Sequence, residues 1–141
     1  MSASTDRGAA VLLVSGNDDA RELYETALSI DGIEVRTCAT AAAALDAARA
    51  RPPRLIVLDL RLPDAHGSEL VRWLRGDPAT SGTIILALST SVSIDGSRGL
   101  DAGCDLVLAV PCPPDTLVAQ VQHALSARAG GDAFRPVVYG A

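Results

Sequence analysis

Asp59 closes the apolar run Leu55-Ile56-Val57-Leu58 and precedes the loop Leu60-Arg61-Leu62-Pro63-Asp64-Ala65-His66-Gly67. A carboxylate is costly inside a core, but at a rim it can serve as nucleophile, base or metal ligand. Ser89 ends a second apolar run, Thr83 to Leu88, and offers a hydroxyl at a comparable place. Asp64, His66 and Ser68 invite a hydrolase reading, yet they share one loop and helix start without a G-x-S-x-G elbow. Ser68 is instead expected to cap the helix that follows, with His66 on the surface of the loop. His123 falls among Gln120, Gln122 and Arg128, the pattern of a solvated helix face rather than of a metal ligand. All twelve basic residues are arginine. Any chemistry that needs a lysine amine, such as a Schiff base or a P-loop phosphate contact, is therefore excluded.

The elements that must position these groups are short and alternate in type. Ala9 to Val14, Leu55 to Leu58, Thr83 to Leu88 and Asp105 to Val110 are apolar runs of strand length, buried on both faces. Ile33, Val35 and Thr37 alternate with Glu34 and Arg36, which predicts a more exposed strand at a sheet edge. Between the strands lie helical patterns. Asn17 or Asp18 caps one whose apolar residues are Ala20, Leu23, Tyr24, Ala27 and Leu28, and Thr40 opens an alanine-rich one stopped by Pro52 and Pro53. Leu70, Val71, Trp73 and Leu74 mark a third, with Trp73 expected in the core. Val92 to Gly103 is poor in helix formers because of Gly96 and Gly99, and Asp115 to Ala127 is a last amphipathic helix. Five strands alternating with five helices predict a parallel sheet covered on both faces, with Asp59 at the carboxyl rim where such sheets bind ligands.

The totals narrow the function. The net charge of −5 and scattered arginines argue against a surface that tracks nucleic-acid phosphates. No apolar run reaches the length of a membrane span, and Met1 to Arg7 lacks the apolar core of a secretory signal, so a cytoplasmic location is expected. Cys38, Cys104 and Cys112 are odd in number and lack a C-x-x-C pair, which predicts reduced thiols and no zinc site. The tail Gly130 to Ala141 carries Phe134, Val137, Val138 and Tyr139 and is either a frayed end or a segment that packs onto the domain or a partner.

The motifs L-I-V-L-D-L-R-L-P-D-A-H-G around Asp59, A-L-S ending at Ser89, L-D-A-G-C-D and the proline after the last strand occur in order. Together they resemble bacterial response regulator receiver domains, over residues 9–127 and leaving 128–141 as a tail or linker. The resemblance implies an α/β, flavodoxin-like (CheY-like) fold: a doubly wound five-stranded parallel sheet of order 2-1-3-4-5 with helices on both faces. It also implies phosphoryl transfer from a histidine kinase to Asp59, with Ser89 as the hydroxyl that holds the phosphoryl group. That chemistry needs the charge on the equatorial oxygens neutralised, which the family achieves with magnesium held by an acid pair, and with a lysine.

The chain departs from this pattern at the charged positions. The acid pair falls on Ser15 and Gly16, the lysine on Val110 ahead of Pro111, and the aromatic of the fifth strand on Val107. Asp18 and Asp19 lie near the lost pair but inside the first helical turn, where they are expected to cap or face solvent. The expectation is an atypical receiver without a metal or other cofactor, magnesium entering only if Asp59 is a conventional phosphoacceptor. Asp59 would then be phosphorylated slowly, or would be structural and accept hydrogen bonds from Ser89 and the Gly16 amide, with the Arg61 guanidinium folded back as a substitute cation. A regulatory module is expected to meet a protein partner, a histidine kinase or an output protein, through helix 4, strand 5 and helix 5, or to form a homodimer. The alternatives are a phosphoacceptor slowed by its departures and a sensor of a small ligand.

Overall fold

The computed structural model describes residues 11–129 and 137–139. The strands are β1 (Val11–Val14), β2 (Val35–Cys38), β3 (Leu55–Asp59), β4 (Ile84–Ser89), β5 (Leu106–Ala109) and β6 (Val137–Tyr139). The helices are α1 (Asp18–Ile30), α2 (Ala41–Ala50), α3 (Gly67–Arg75), α4 (Val92–Ala102) and α5 (Pro114–Ala129). All strand pairs are parallel, in the order β2-β1-β3-β4-β5-β6. The five strands expected from the sequence occupy the order 2-1-3-4-5. The sheet nevertheless has six, because the tail adds β6 beside β5 with Val107 opposite Val138.

Alternation along the central strands divides the core in two. Val11, Leu13, Leu55 and Val57 face α1 and α5, where they meet Tyr24, Leu28, Leu117 and Val121. Leu12, Val14, Ile56 and Leu58 face the other way, toward α2, α3 and α4, meeting Ala44, Leu70 and Leu74. Both faces of β1, β3 and β4 are fully covered, so these strands read as continuous apolar runs. β2 stands at an edge and each of its residues is half-buried, which accounts for its alternating sequence.

The helix starts are fixed locally. The Asn17 side chain accepts from the Ala20 amide at 2.8 Å and Thr40 Oγ1 accepts from the Ala43 amide at 3.1 Å, each satisfying a donor that the first helical turn leaves free. The glycines of α4 do not prevent an eleven-residue helix. A Cβ on Gly99 would stand 3.2 Å from Val107 Cγ2, so this glycine lets α4 approach β5 closely, and tertiary packing outweighs its low helix propensity. Trp73 is 44% exposed, contrary to the core position expected of it. Leu70, Val71 and Leu74 take the inward face of α3, and Trp73 stands at its flank, partly open to solvent.

Candidate functional site at the carboxyl rim

β1 and β3 are neighbours whose chains leave in opposite directions, β1 toward β2 and β3 toward β4. Their carboxyl ends therefore frame the crevice at the point where the strand order reverses. Asp59, the last residue of β3, stands there half-buried beside Ser15, which follows β1 and is almost completely enclosed. Ser15 Oγ donates to Asp59 Oδ2 at 3.4 Å, and the Arg61 backbone amide donates to Oδ1 at 3.3 Å. Both bonds are long for a carboxylate acceptor. Burial raises the Asp59 pKa, against smaller lowering contributions from the Arg61 amide, the Ser15 hydroxyl and the Arg61 charge.

Ser89 and Arg61 do not serve Asp59 in the way the sequence led us to expect. Ser89 Oγ donates to Asp95 Oδ2 at 3.0 Å and accepts from the Ser91 amide at 2.9 Å. The Arg61 guanidinium also pairs with Asp95, its Nε lying 3.5 Å from Oδ2. The Gly16 amide is not among the donors to Asp59 either. The rim hydroxyl and the rim guanidinium thus converge on a carboxylate of α4. Asp95 is 1% exposed. Burial pushes its pKa up, but Ser89, Arg61 and His66 together outweigh that and hold it below the ordinary value.

His66 completes this second cluster. It is the N-cap of α3 rather than a surface residue: its Nδ1 accepts from the Ser68 amide at 3.1 Å. An accepting Nδ1 places the proton of the neutral ring on Nε2, which lies 3.5 Å from Asp95 Oδ1. Ser68, expected as the cap, lies inside the first turn with no exposed surface, and a buried hydroxyl is closed to a hydrolase substrate. Asp64 turns elsewhere, accepting from the Ala41 and Ala42 amides at 2.8 and 3.0 Å. Those two bonds lower its pKa.

The remaining positions are apolar, exposed or occupied. Val110 is half-buried against the α1 and α5 face, and Val107 is fully buried against the α4 face. Asp18 is exposed and pairs with Arg21 at 2.6 Å, Asp19 is exposed, and His123 is exposed on α5. Arg21 also donates to the Ser15 carbonyl at 2.7 Å, a contact the sequence pattern did not reveal. Asp95 was missed too, although a signal existed. With Gly99 and Ala102 it forms an i, i+4, i+7 stripe, and an acid on a stripe of small residues marks a buried charge awaiting partners. The three cysteines are free, and burial pushes the Cys104 thiol up to about 12.

A magnesium ion does not fit these residues. Magnesium takes six oxygen ligands, with one or two carboxylates supplying the protein's charge, and among the described residues lining the crevice Asp59 is the only carboxylate. Among the described residues no group of three or more His, Cys, Asp or Glu is placed to hold a metal. A side chain at Gly16 would begin with a Cβ 2.8 and 2.9 Å from the Pro63 ring carbons, so the proline fills the space that a second acid would enter.

Residues 11–122 match the family described as response regulator receiver domain. The chain belongs to that family. Similar proteins include the transcriptional regulatory protein GltR of Pseudomonas aeruginosa, 36% identical over 119 residues, covering 84% of this chain and 49% of that protein. The KDP operon transcriptional regulatory protein KdpE of Escherichia coli is 36% identical over 128 residues, covering 91% and 56%. This receiver therefore spans about half the length of these relatives. Among solved structures, the chemotaxis response regulator CheY4 of Vibrio cholerae superposes with a TM-score of 0.77 at 30% identity, over 82% of this chain and 97% of that one. The matched family is a regulatory domain rather than an enzyme. No helix among the described residues is long and apolar enough to cross a membrane.

Proposed function

We propose that this receiver is a regulatory protein-interaction module in signal transduction whose output does not depend on magnesium-assisted phosphorylation of Asp59. The observation that carries the reading is the set of partners around that carboxylate among the described residues: one hydroxyl, one backbone amide and no bonded cation. A phosphoryl group on Asp59 would bring further negative charge to a half-buried site whose nearest guanidinium is already paired with Asp95. Ser89, the position that matches the phosphoryl-holding hydroxyl, is likewise engaged by Asp95.

The partner surface we assign comprises α4, β5 and α5, in a receiver unit of residues 9–127 followed by the tail. Ile94 is 69% exposed on α4, an apolar anchor of the kind protein contacts use. β6 occupies the edge of β5, so a partner, whether a kinase, an output protein or a second copy, would meet the helix faces of this surface rather than pair with β5 itself. The proposed setting is the cytoplasm, with no direct contact to nucleic acid from these residues.

The test is incubation with magnesium and acetyl phosphate, read by intact mass beside an Asp59→Asn control. No adduct on either folded protein is expected. An adduct on the parent that the control lacks would overturn the reading and restore a conventional phosphoacceptor.

A further inference from the structure

A cavity of about 230 Å³ opens at Asp59. Ser15, Asn17, Asp59 and Thr90 are among its polar lining residues, and Tyr24, Leu88 and Val110 among its apolar ones. At about 30 Å³ for each water-sized group, it holds roughly eight. Its chemistry is lopsided. The single carboxylate has two long hydrogen bonds and, among the described residues, no bonded cation, while the lining also offers valine, leucine and an aromatic residue.

We infer that this cavity is a binding site for a small primary amine with a compact apolar body. The inference rests on the reading that Asp59 has neither magnesium nor lysine beside it. An ammonium group would supply the cation that the chain itself withholds, forming charge-assisted hydrogen bonds to Asp59. The hydrocarbon part would cover Leu88 and Val110, and the Tyr24 ring adds a face that attracts cations. A neutral ligand would leave the carboxylate desolvated without compensation, and an anion would be repelled by it. Burial raises the Asp59 pKa, and the Arg61 charge offsets this only in part, so an added cation in the cavity has a desolvated carboxylate to stabilise.

Benzylamine, with eight non-hydrogen atoms, is a suitable probe, and benzyl alcohol is its neutral counterpart of the same shape. Amide resonances of the full chain, followed by NMR, are expected to shift saturably at Ser15, Asn17 and Asp59 with benzylamine. Benzyl alcohol should bind about tenfold or more weakly, the difference expected of a charge-assisted contact. Asp59→Asn should abolish amine binding. Val110→Lys, which places an ammonium in the cavity covalently, should weaken it by about tenfold through competition. Equal binding of amine and alcohol, binding that survives Asp59→Asn, or no saturable shift with benzylamine would each overturn the inference. A parallel magnesium titration separates this result from the functional reading: magnesium shifts at Asp59 that compete with the amine would overturn that reading. Silence toward both would overturn the amine site alone.

Discussion

Two carboxylates stand at the same rim and live in opposite surroundings. Asp59 is half-buried at the end of β3, held by two long hydrogen bonds, and its pKa is raised. Asp95 is almost wholly buried on α4, yet a hydroxyl, a guanidinium and an imidazole surround it and its pKa is lowered. Burial raises the pKa at both sites, and the partners decide whether the balance ends above or below the ordinary value. The difference also shows what seats α4: through Asp95, the Ser89 hydroxyl and the Arg61 guanidinium hold this helix against the end of β4.

The largest expected effect would erase the contrast. Ser15→Asp, Gly16→Asp and Val110→Lys together place two acids and an ammonium around Asp59. Incubation of this triple variant with magnesium and acetyl phosphate is expected to convert most of the chain to the adduct, against none for the parent, by intact mass. Pro63 must move to admit the second acid, so the variant should also be less stable, by about 1 kcal/mol.

Next in size is the loss of Asp95. Asp95→Ala leaves the Ser89 hydroxyl without its acceptor in a buried place and removes the carboxylate 3.5 Å from His66 Nε2, and urea unfolding should show a loss of about 3 kcal/mol. Asp59→Asn removes a desolvated carboxylate with weak partners. Its unfolding midpoint should stay level or rise.

The acid limb of stability distinguishes the pair further. Asp95 has a folded pKa below its ordinary 3.8, so its contribution is present above 3.8 and is lost as pH falls through the folded value. Asp59 has a folded pKa above 3.8, so its penalty is complete above that folded value and is relieved as pH falls toward 3.8. Stability profiles of Asp95→Asn and Asp59→Asn against the parent should therefore diverge in opposite senses. Asp95→Asn should flatten the decline below pH 3.8, and Asp59→Asn should remove a gain just above it. The smallest effect is that of Arg61→Ala. This side chain is 57% exposed and stands 3.5 Å from Asp95, which keeps its Ser89 bond and the neighbouring His66 ring without it, so removal should cost only about 0.5 kcal/mol.

Much of this was legible in the chain. Short apolar runs alternating with amphipathic stretches specify buried parallel strands and covering helices, because each pattern is periodic over a few residues and needs no distant partner to be recognised. The absence of any lysine is likewise plain from residue types alone, and the alignment of Ser15, Gly16 and Val110 with charged family positions is an expectation drawn from motif order. What Ser89 and Arg61 bond to was not legible. Both choose between Asp59 and Asp95, carboxylates brought to one rim by the β3–β4 pairing and the seat of α4, and sequence spacing carries no information about that choice. His66 became an N-cap and Trp73 turned outward for the same reason: the start and rotation of α3 were fixed by how Leu70, Val71 and Leu74 pack. The sixth strand depended on an open edge at β5. Local patterns set which elements form and which charges are missing, whereas only the assembled sheet decided which groups share a carboxylate, since a hydrogen bond depends on ångström-scale placement of residues far apart in the chain.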